Sequence, residues 1–266
     1  MSEVFDCTTP EGLAAGLEAA AQAVRDGKIV VLPTDTVYGI GADAFNADAV
    51  SAVLAAKGRG REMPPPVLVP NLRTVDGLAR EVPDYVRALL AAFWPGALTV
   101  VVKSQPSLSW DLGETNGTVA IRMPDNGVTL RLLDEVGPMA VTSANVTGSP
   151  AARTVAEAQG QLGAAVSVYL DAGPATGTAA STILDCTTSF AVTLREGAVA
   201  RSDIDAALEE AARVAEAERL AEEKRAAAQA RGPRGTRKLG QSGPRPTPAT
   251  PARRGGRVAG QRRRPS

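Results

Sequence analysis

The chain has 266 residues, of which 44% are hydrophobic, 22% charged and only 3% aromatic, enough for one domain of about 200 residues with appendages. It contains no histidine and two cysteines, Cys7 and Cys186, without paired spacing, which excludes a Ser-His-Asp triad and supplies neither a disulfide framework nor a zinc site. The net charge of zero hides an asymmetry: residues 231–266 hold 11 of the 29 Lys+Arg and no acid, leaving 18 basic against 29 acidic residues in 1–230, a net of −11.

The N-terminal "MSEVFDCTTP" carries acids and no apolar h-region, so it does not read as a signal peptide. No run of about 18 apolar residues occurs, and the expected setting is the cytoplasm, with no membrane segment. Residues 11–26 then read as an amphipathic helix, with Leu13, Leu17 and Val24 on or near one face. "KIVVLP" is a strand. It runs into the polar stretch "TDTVYGIGADA", where proline ends the strand and Gly39 and Gly41 read as turn residues. Asp48 to Ala56 is a second helix, "PPPVLVP" a short strand between prolines, and 82–96 a helix. "ALTVVVK" and "GTVAIRMP" are strands; Val128–Val136 is helical; "PMAVT" is a strand. A helix at about 154–162 leads to "AVSVYLD", and "STILDCT" and "AVTLREG" alternate as an antiparallel pair. Strands and helices mixed in this way predict an α/β domain with a mixed sheet over residues 1–202. Ser202 is the expected cap of a charged helix spanning 203–230. Residues 231–266, rich in Gly, Pro and Arg, lack the apolar content to order a chain and read as a disordered basic tail.

Four stretches stand out chemically. In "AAKGRGR", Lys57 and Arg59 follow a helix; they complement its negative end, or they clamp phosphate oxygens. In "VAIRMPD", Arg122 lies inside a buried strand and needs a partner or a ligand. In "AVTSANVTG", an apolar strand opens into Thr142, Ser143 and Asn145, which suit a small polar ligand or an ordinary polar turn. Ser181 starts a strand and Arg195 ends the next. There is no Walker A loop and no G-x-G-x-x-G, so cations for any bound phosphate must come from separate strands.

Taken in order, "PTDTVYGIGADA", "KGR", "VAIRMP", "TSAN-T-G" and "STILD…LREG" resemble the YrdC-like family of threonylcarbamoyl-AMP synthases, in its short, single-domain form, across about residues 10–200. The resemblance implies a YrdC-like twisted mixed sheet with helices around a concave basic site. It implies a nucleotidyltransferase that makes threonylcarbamoyl-AMP and pyrophosphate from L-threonine, bicarbonate and ATP, with Mg2+ accompanying ATP and no protein-bound metal. The implied partners are the tRNA threonylcarbamoyl transferase proteins downstream, with weak tRNA contact through the basic tail. By resemblance, Lys57 and Arg59 carry catalysis, and Lys57, Arg59, Thr118, Asn145 and Arg195 contact nucleotide. Thr34, Thr36, Tyr38, Arg122, Ser143 and Ser181 bind threonine, Arg122 through the carboxylate, and the loop after Pro33 walls that pocket. Such chemistry needs alignment and charge stabilisation more than a protein base, which suits a histidine-free chain.

The sequence departs from the family in "EMPPPVLVP": Met63 stands where the family has asparagine and Leu68 where it has histidine. Two rival readings stand beside this one. Carbamoyl transfer in hydrogenase maturation is associated with larger chains that carry cysteine-rich modules. An RNA-binding or ribosome-associated module of the same fold is favoured by the tail and disfavoured by the acidic body.

Overall fold

The computed structural model describes residues 2–177 and 179–230; the expected disordered tail, 231–266, lies outside them. By contacts the chain divides into two units, Met1–Arg219 and Leu220–Ser266. Of the second, the described part is the end of one helix.

The first unit is built on a single ten-stranded sheet. Its strands are β1 (Glu3–Asp6), β2 (Val30–Leu32), β3 (Gly39–Asp43), β4 (Val67–Leu68), β5 (Leu98–Lys103), β6 (Thr118–Arg122), β7 (Met139–Ser143), β8 (Val168–Asp171), β9 (Thr182–Asp185) and β10 (Val192–Arg195). The order across the sheet is β1-β8-β2-β3-β7-β4-β6-β5-β9-β10. Pairing is mixed: β2 runs parallel to β8 and antiparallel to β3, and β5 is antiparallel to β6 and parallel to β9. The helices are α1 (Pro10–Arg25), α2 (Ala47–Ala56), α3 (Leu72–Leu78), α4 (Asp84–Phe93), α5 (Gly127–Val136), α6 (Val155–Leu162) and α7 (Arg201–Ala230). This is the mixed α/β class expected. Among the described residues no helix is long and apolar enough to cross a membrane.

Strand β2 shows why helices cover both faces. Its residues are buried without interruption, and successive side chains point opposite ways. Val30 and Leu32 join Leu17, Ala20 and Val24 of α1 and Leu132 and Leu133 of α5. Val31 joins Val53 of α2 and Ala158 and Leu162 of α6 on the other face. Each fully buried Val or Leu of this kind contributes about 1.5–3 kcal/mol. A third cluster packs Leu89 and Leu90 of α4 onto Leu98 and Val100 of β5 and Ile121 of β6. It also takes in Ile204, from the first turn of α7, which is 1% exposed.

Helix starts follow side-chain caps. Thr9 accepts from the Gly12 N–H (3.1 Å) at α1, and Asn46 accepts from the Ala49 N–H (3.0 Å) at α2, supplying acceptors for donors that the first turn leaves open. Asn126 and Thr154 do the same for α5 and α6.

Four expectations need correction. Gly39 and Gly41 are not turn residues: they lie in β3, which folds back antiparallel on β2. A Cβ at either would stand 2.6 Å from a Val141 methyl of β7, so the glycines admit a close neighbour rather than a turn. Strand β1 and helix α3 were not expected. The helix anticipated over 82–96 is α4, shortened because Pro83 is its N-cap and Trp94 its C-cap. Ser202 does not cap α7; the helix begins at Arg201, and the N–H groups of Asp203 and Ile204 bond to the Ala200 carbonyl.

Candidate active site

The carboxyl end of β2, the loop 33–38, the amino end of β3, the segment after α2, and the ends of β6, β7, β9 and β10 surround a cavity of about 430 Å³. Nine of the expected site residues line it: Thr34, Thr36, Tyr38, Arg59, Thr118, Arg122, Ser143, Ser181 and Arg195. They come from six separate stretches of chain, brought together by the strand order.

The loop after Pro33 forms one wall and is bonded to itself. The Thr34 hydroxyl donates to the Val37 carbonyl (2.5 Å) and accepts from the N–H groups of Thr36 (3.1 Å) and Val37 (3.2 Å). It also lies 2.9 Å from the Thr36 hydroxyl. This is a Ser/Thr turn, which fixes the loop without glycine. The loop is locked to β6 by Arg122, whose side chain is 8% exposed. Arg122 Nη2 donates to Asp35 Oδ1, Nη1 to Thr36 Oγ1 (3.0 Å) and Nε to the Gly96 carbonyl (3.0 Å). The cation in the strand therefore has a carboxylate partner. Burial pushes the Arg122 pKa down, and the Asp35 carboxylate works against that shift. Among the described residues three of the five guanidinium N–H groups find partners, which leaves two, one on each Nη.

The remaining two cations differ from each other. Arg59 Nη1 donates to Thr142 Oγ1 (3.2 Å), while its buried Nε has no partner among the described residues. Arg195 donates through Nε (3.0 Å) and Nη2 (2.7 Å) to the Ser181 carbonyl, and through Nη2 to Ser181 Oγ (3.0 Å). Ser181 Oγ also shares a bond with Thr99 Oγ1, at 2.9 Å. Burial lowers the pKa of both arginines; the charge of Arg59 lowers that of Arg195 further, and Arg195 acts in the same sense on Arg122. Three guanidinium groups thus feel one another across one cavity, an arrangement that favours a polyanion. Arg195 reaches its place through a bulge: Thr193 pairs with Leu184 and Arg195 with Ile183, so Leu194 has no opposite residue. Such bulges re-aim side chains.

Three expected residues behave differently. Tyr38 touches the cavity, but its hydroxyl donates away from it, to the Gly173 carbonyl (2.5 Å), and accepts from the Ala172 N–H (3.1 Å). Burial raises that phenol to about 12. Lys57 and Asn145 do not line the cavity at all. Lys57 is 0% exposed and Asn145 8%; both lie behind the wall, where the turn after β7 closes over them. Met63, in the position of the family's asparagine, is 41% exposed and outside the cavity lining, whereas Leu68 is part of it.

Asp35 and Thr99 were not anticipated as parts of the site, and Thr142, singled out only as a hydroxyl in a polar turn, is a partner of Arg59. A signal existed for the first two: Asp35 stands between two threonines, and Thr99 is a lone hydroxyl in an otherwise apolar strand. Among the described residues no group of three or more His, Cys, Asp or Glu comes together that could hold a metal ion.

Fold and cavity together define an α/β domain whose strand ends enclose a cavity lined by hydroxyls and arginines, in a chain without a glycine-rich phosphate loop. Residues 22–197 match the Sua5/YciO/YrdC family model, which carries the description "Telomere recombination", and the chain belongs to that family. It is 57% identical over 199 residues to a Mycobacterium leprae protein named "Putative threonylcarbamoyl-AMP synthase", covering 75% of this chain and 90% of that one. It is 36% identical over 191 residues to the threonylcarbamoyl-AMP synthase of Bacillus subtilis, covering 71% of this chain and 55% of that one. Among solved structures, Pyrococcus abyssi Sua5 complexed with L-threonine superposes with a TM-score of 0.73 at 28% identity, covering 77% of this chain and 61% of that one.

Proposed function

We propose that this chain is an L-threonylcarbamoyladenylate synthase: L-threonine, bicarbonate and ATP go in, threonylcarbamoyl-AMP and pyrophosphate come out. The observation that carries the reading is the cavity itself, in which a pre-bonded nest around Arg122 shares about 430 Å³ with Arg195 and with Arg59, whose buried Nε has no partner among the described residues. Relatives that bear the synthase name, and the relative complexed with L-threonine, support it.

In this reading the two spare Arg122 N–H groups take threonine's carboxylate, and the hydroxyls of Thr34, Thr36, Ser143 and Ser181 surround the rest of the amino acid. Threonine's amine condenses with bicarbonate to a carbamate, losing water. A carbamate oxygen then attacks the α-phosphorus, and the bond from that phosphorus to the bridging oxygen breaks to release pyrophosphate. No side chain has to take a proton in the second step. Its demands are alignment and charge stabilisation, supplied by Arg59 and Arg195 at the phosphates and by Thr118 beside the nucleotide. Mg2+ arrives as the ATP complex, since the cavity lining offers guanidiniums and hydroxyls rather than carboxylates. The product passes, in the cytoplasm, to tRNA threonylcarbamoyl transferase proteins. The basic residues 231–266 add weak, sequence-independent tRNA contact, a role that their 11 cations and absence of acids support.

The test is pyrophosphate release by the purified protein with ATP, requiring both threonine and bicarbonate. Release that persists without either substrate overturns the assignment.

A further inference from the structure

Lys57 is the largest charged side chain wholly removed from solvent, at 0% exposure. An ammonium group has three N–H donors, and here three oxygens receive them. Nζ donates to the Ser143 carbonyl, to the Asn145 carbonyl (2.6 Å) and to Asn145 Oδ1 (3.2 Å). The main chain adds a fourth tie, from the Thr147 N–H to the Lys57 carbonyl (2.8 Å). Asn145 is equally committed. Its two Nδ2 hydrogens go to the carbonyls of Val146 (2.9 Å) and Ser149 (2.8 Å), and its Oδ1 accepts from Lys57. Neither side chain lines the cavity. The turn they hold leads directly from Thr142 and Ser143, which do line it, and Thr142 carries the only side-chain hydrogen bond made by Arg59 among the described residues.

We propose that Lys57 and Asn145 are positioning residues that knot the turn after β7, set Ser143 in the cavity wall, and touch no phosphate. This assignment rests on the synthase reading for what the wall binds. All partners of the ammonium are neutral oxygens, with no carboxylate among them, so its charge is held by carbonyl dipoles. Burial, and then the charge of Arg59, lower the Lys57 pKa to about 8, which leaves it mainly protonated at pH 7. Removing the ammonium strands three buried acceptors and frees the turn. An arginine in its place presents a planar fork to oxygens arranged around a single nitrogen.

The deciding comparison is Lys57→Met against Arg59→Ala, with calorimetric binding of a non-hydrolysable ATP analogue and steady-state kinetics for threonine. A displaced reacting group can cost about 10²-fold in rate without loss of binding. Lys57→Met is therefore expected to lower kcat about 10²-fold and raise KM for threonine. Its Kd for the analogue should stay within about threefold, while Arg59→Ala weakens analogue binding by about tenfold or more. A Lys57→Met variant that weakens analogue binding as much as Arg59→Ala, with KM for threonine unchanged, overturns the proposal. If Lys57→Met does not fold, a crystal structure of the wild type with the analogue and threonine decides. Support requires Nζ to remain on its three oxygens with no phosphate oxygen within about 3.5 Å; an Nζ turned to a phosphate refutes it. An analogue that fails to bind the wild type overturns the nucleotide reading itself, and this assignment with it.

Discussion

The wall built from the β2–β3 loop and β6 and the wall built from the segment after α2 face the same cavity in opposite states. In the first, Thr34, Asp35, Thr36 and Arg122 are bonded to one another. In the second, Arg59 makes one side-chain hydrogen bond among the described residues, and its buried Nε has no partner among them. A pre-bonded wall needs little reorganisation when a ligand arrives, so it can discriminate by shape and by polar pairing. A buried donor without an acceptor is an unmet cost that an incoming anion relieves. In the proposed function, selectivity and charge neutralisation are thus divided between two regions.

The largest expected effect sharpens the first half of that contrast. If Thr36, Ser143 and Ser181 pair with threonine's polar groups, then valine, which lacks the hydroxyl, is disfavoured by up to about 10⁴ in kcat/KM. Serine, which lacks one methyl, is disfavoured by roughly 10–200-fold. Competing pyrophosphate-release assays measure both, and equal rates with valine break the assignment of this wall. Next, Arg59→Ala should reduce adenylate formation about 10²–10³-fold with the thermal midpoint little changed. Near-normal turnover would return Arg59 to a helix-end charge. The two walls should also separate in stability. Arg122→Met leaves Asp35 without its cation and should cost about 3–5 kcal/mol by denaturant unfolding; adding Asp35→Asn should recover most of that cost but not threonine use. Arg59→Met, by contrast, removes an unpartnered buried donor and should change stability by under about 1 kcal/mol. The smallest effect belongs to the tail: truncation after Ala230 should leave adenylate synthesis unchanged and lower tRNA affinity at low salt only. Loss of catalysis would put the tail in the active site, and unaltered tRNA binding at low salt would end its proposed RNA role.

What was legible in the sequence follows the reach of its signals. Helices α1, α2 and α5 were readable because apolar spacing is local, and Arg122 was readable because an arginine in an apolar strand is conspicuous. Asp35 as its partner was not, since the pairing spans 87 residues of chain and depends on β2 and β6 belonging to one sheet. Gly39 and Gly41 misled because a strand glycine that admits Val141 and a turn glycine look alike in sequence. Lys57 was visible as a residue of interest, but its side matters more than its type. Its burial is decided by the turn after β7, about 86 residues away, and no local pattern records that. For Tyr38 the hydroxyl points to the loop after β8 because Gly173 and Ala172 lie there, again a fact of tertiary placement.

The bulge in β10 bears on how this strand tolerates a change of length. Leu194 stands outside the ladder, with Thr193 opposite Leu184 and Arg195 opposite Ile183. The strand therefore has one residue in reserve. Loss of Leu194 alone would turn the bulge into regular pairing and leave Arg195 opposite Ile183, facing the same side as before. Loss of one residue from β9 would instead shift the register there and send the shifted side chains to the other face. Natural length variation around this cavity is accordingly expected to gather at position 194, where a codon can disappear without carrying a cation away from the site.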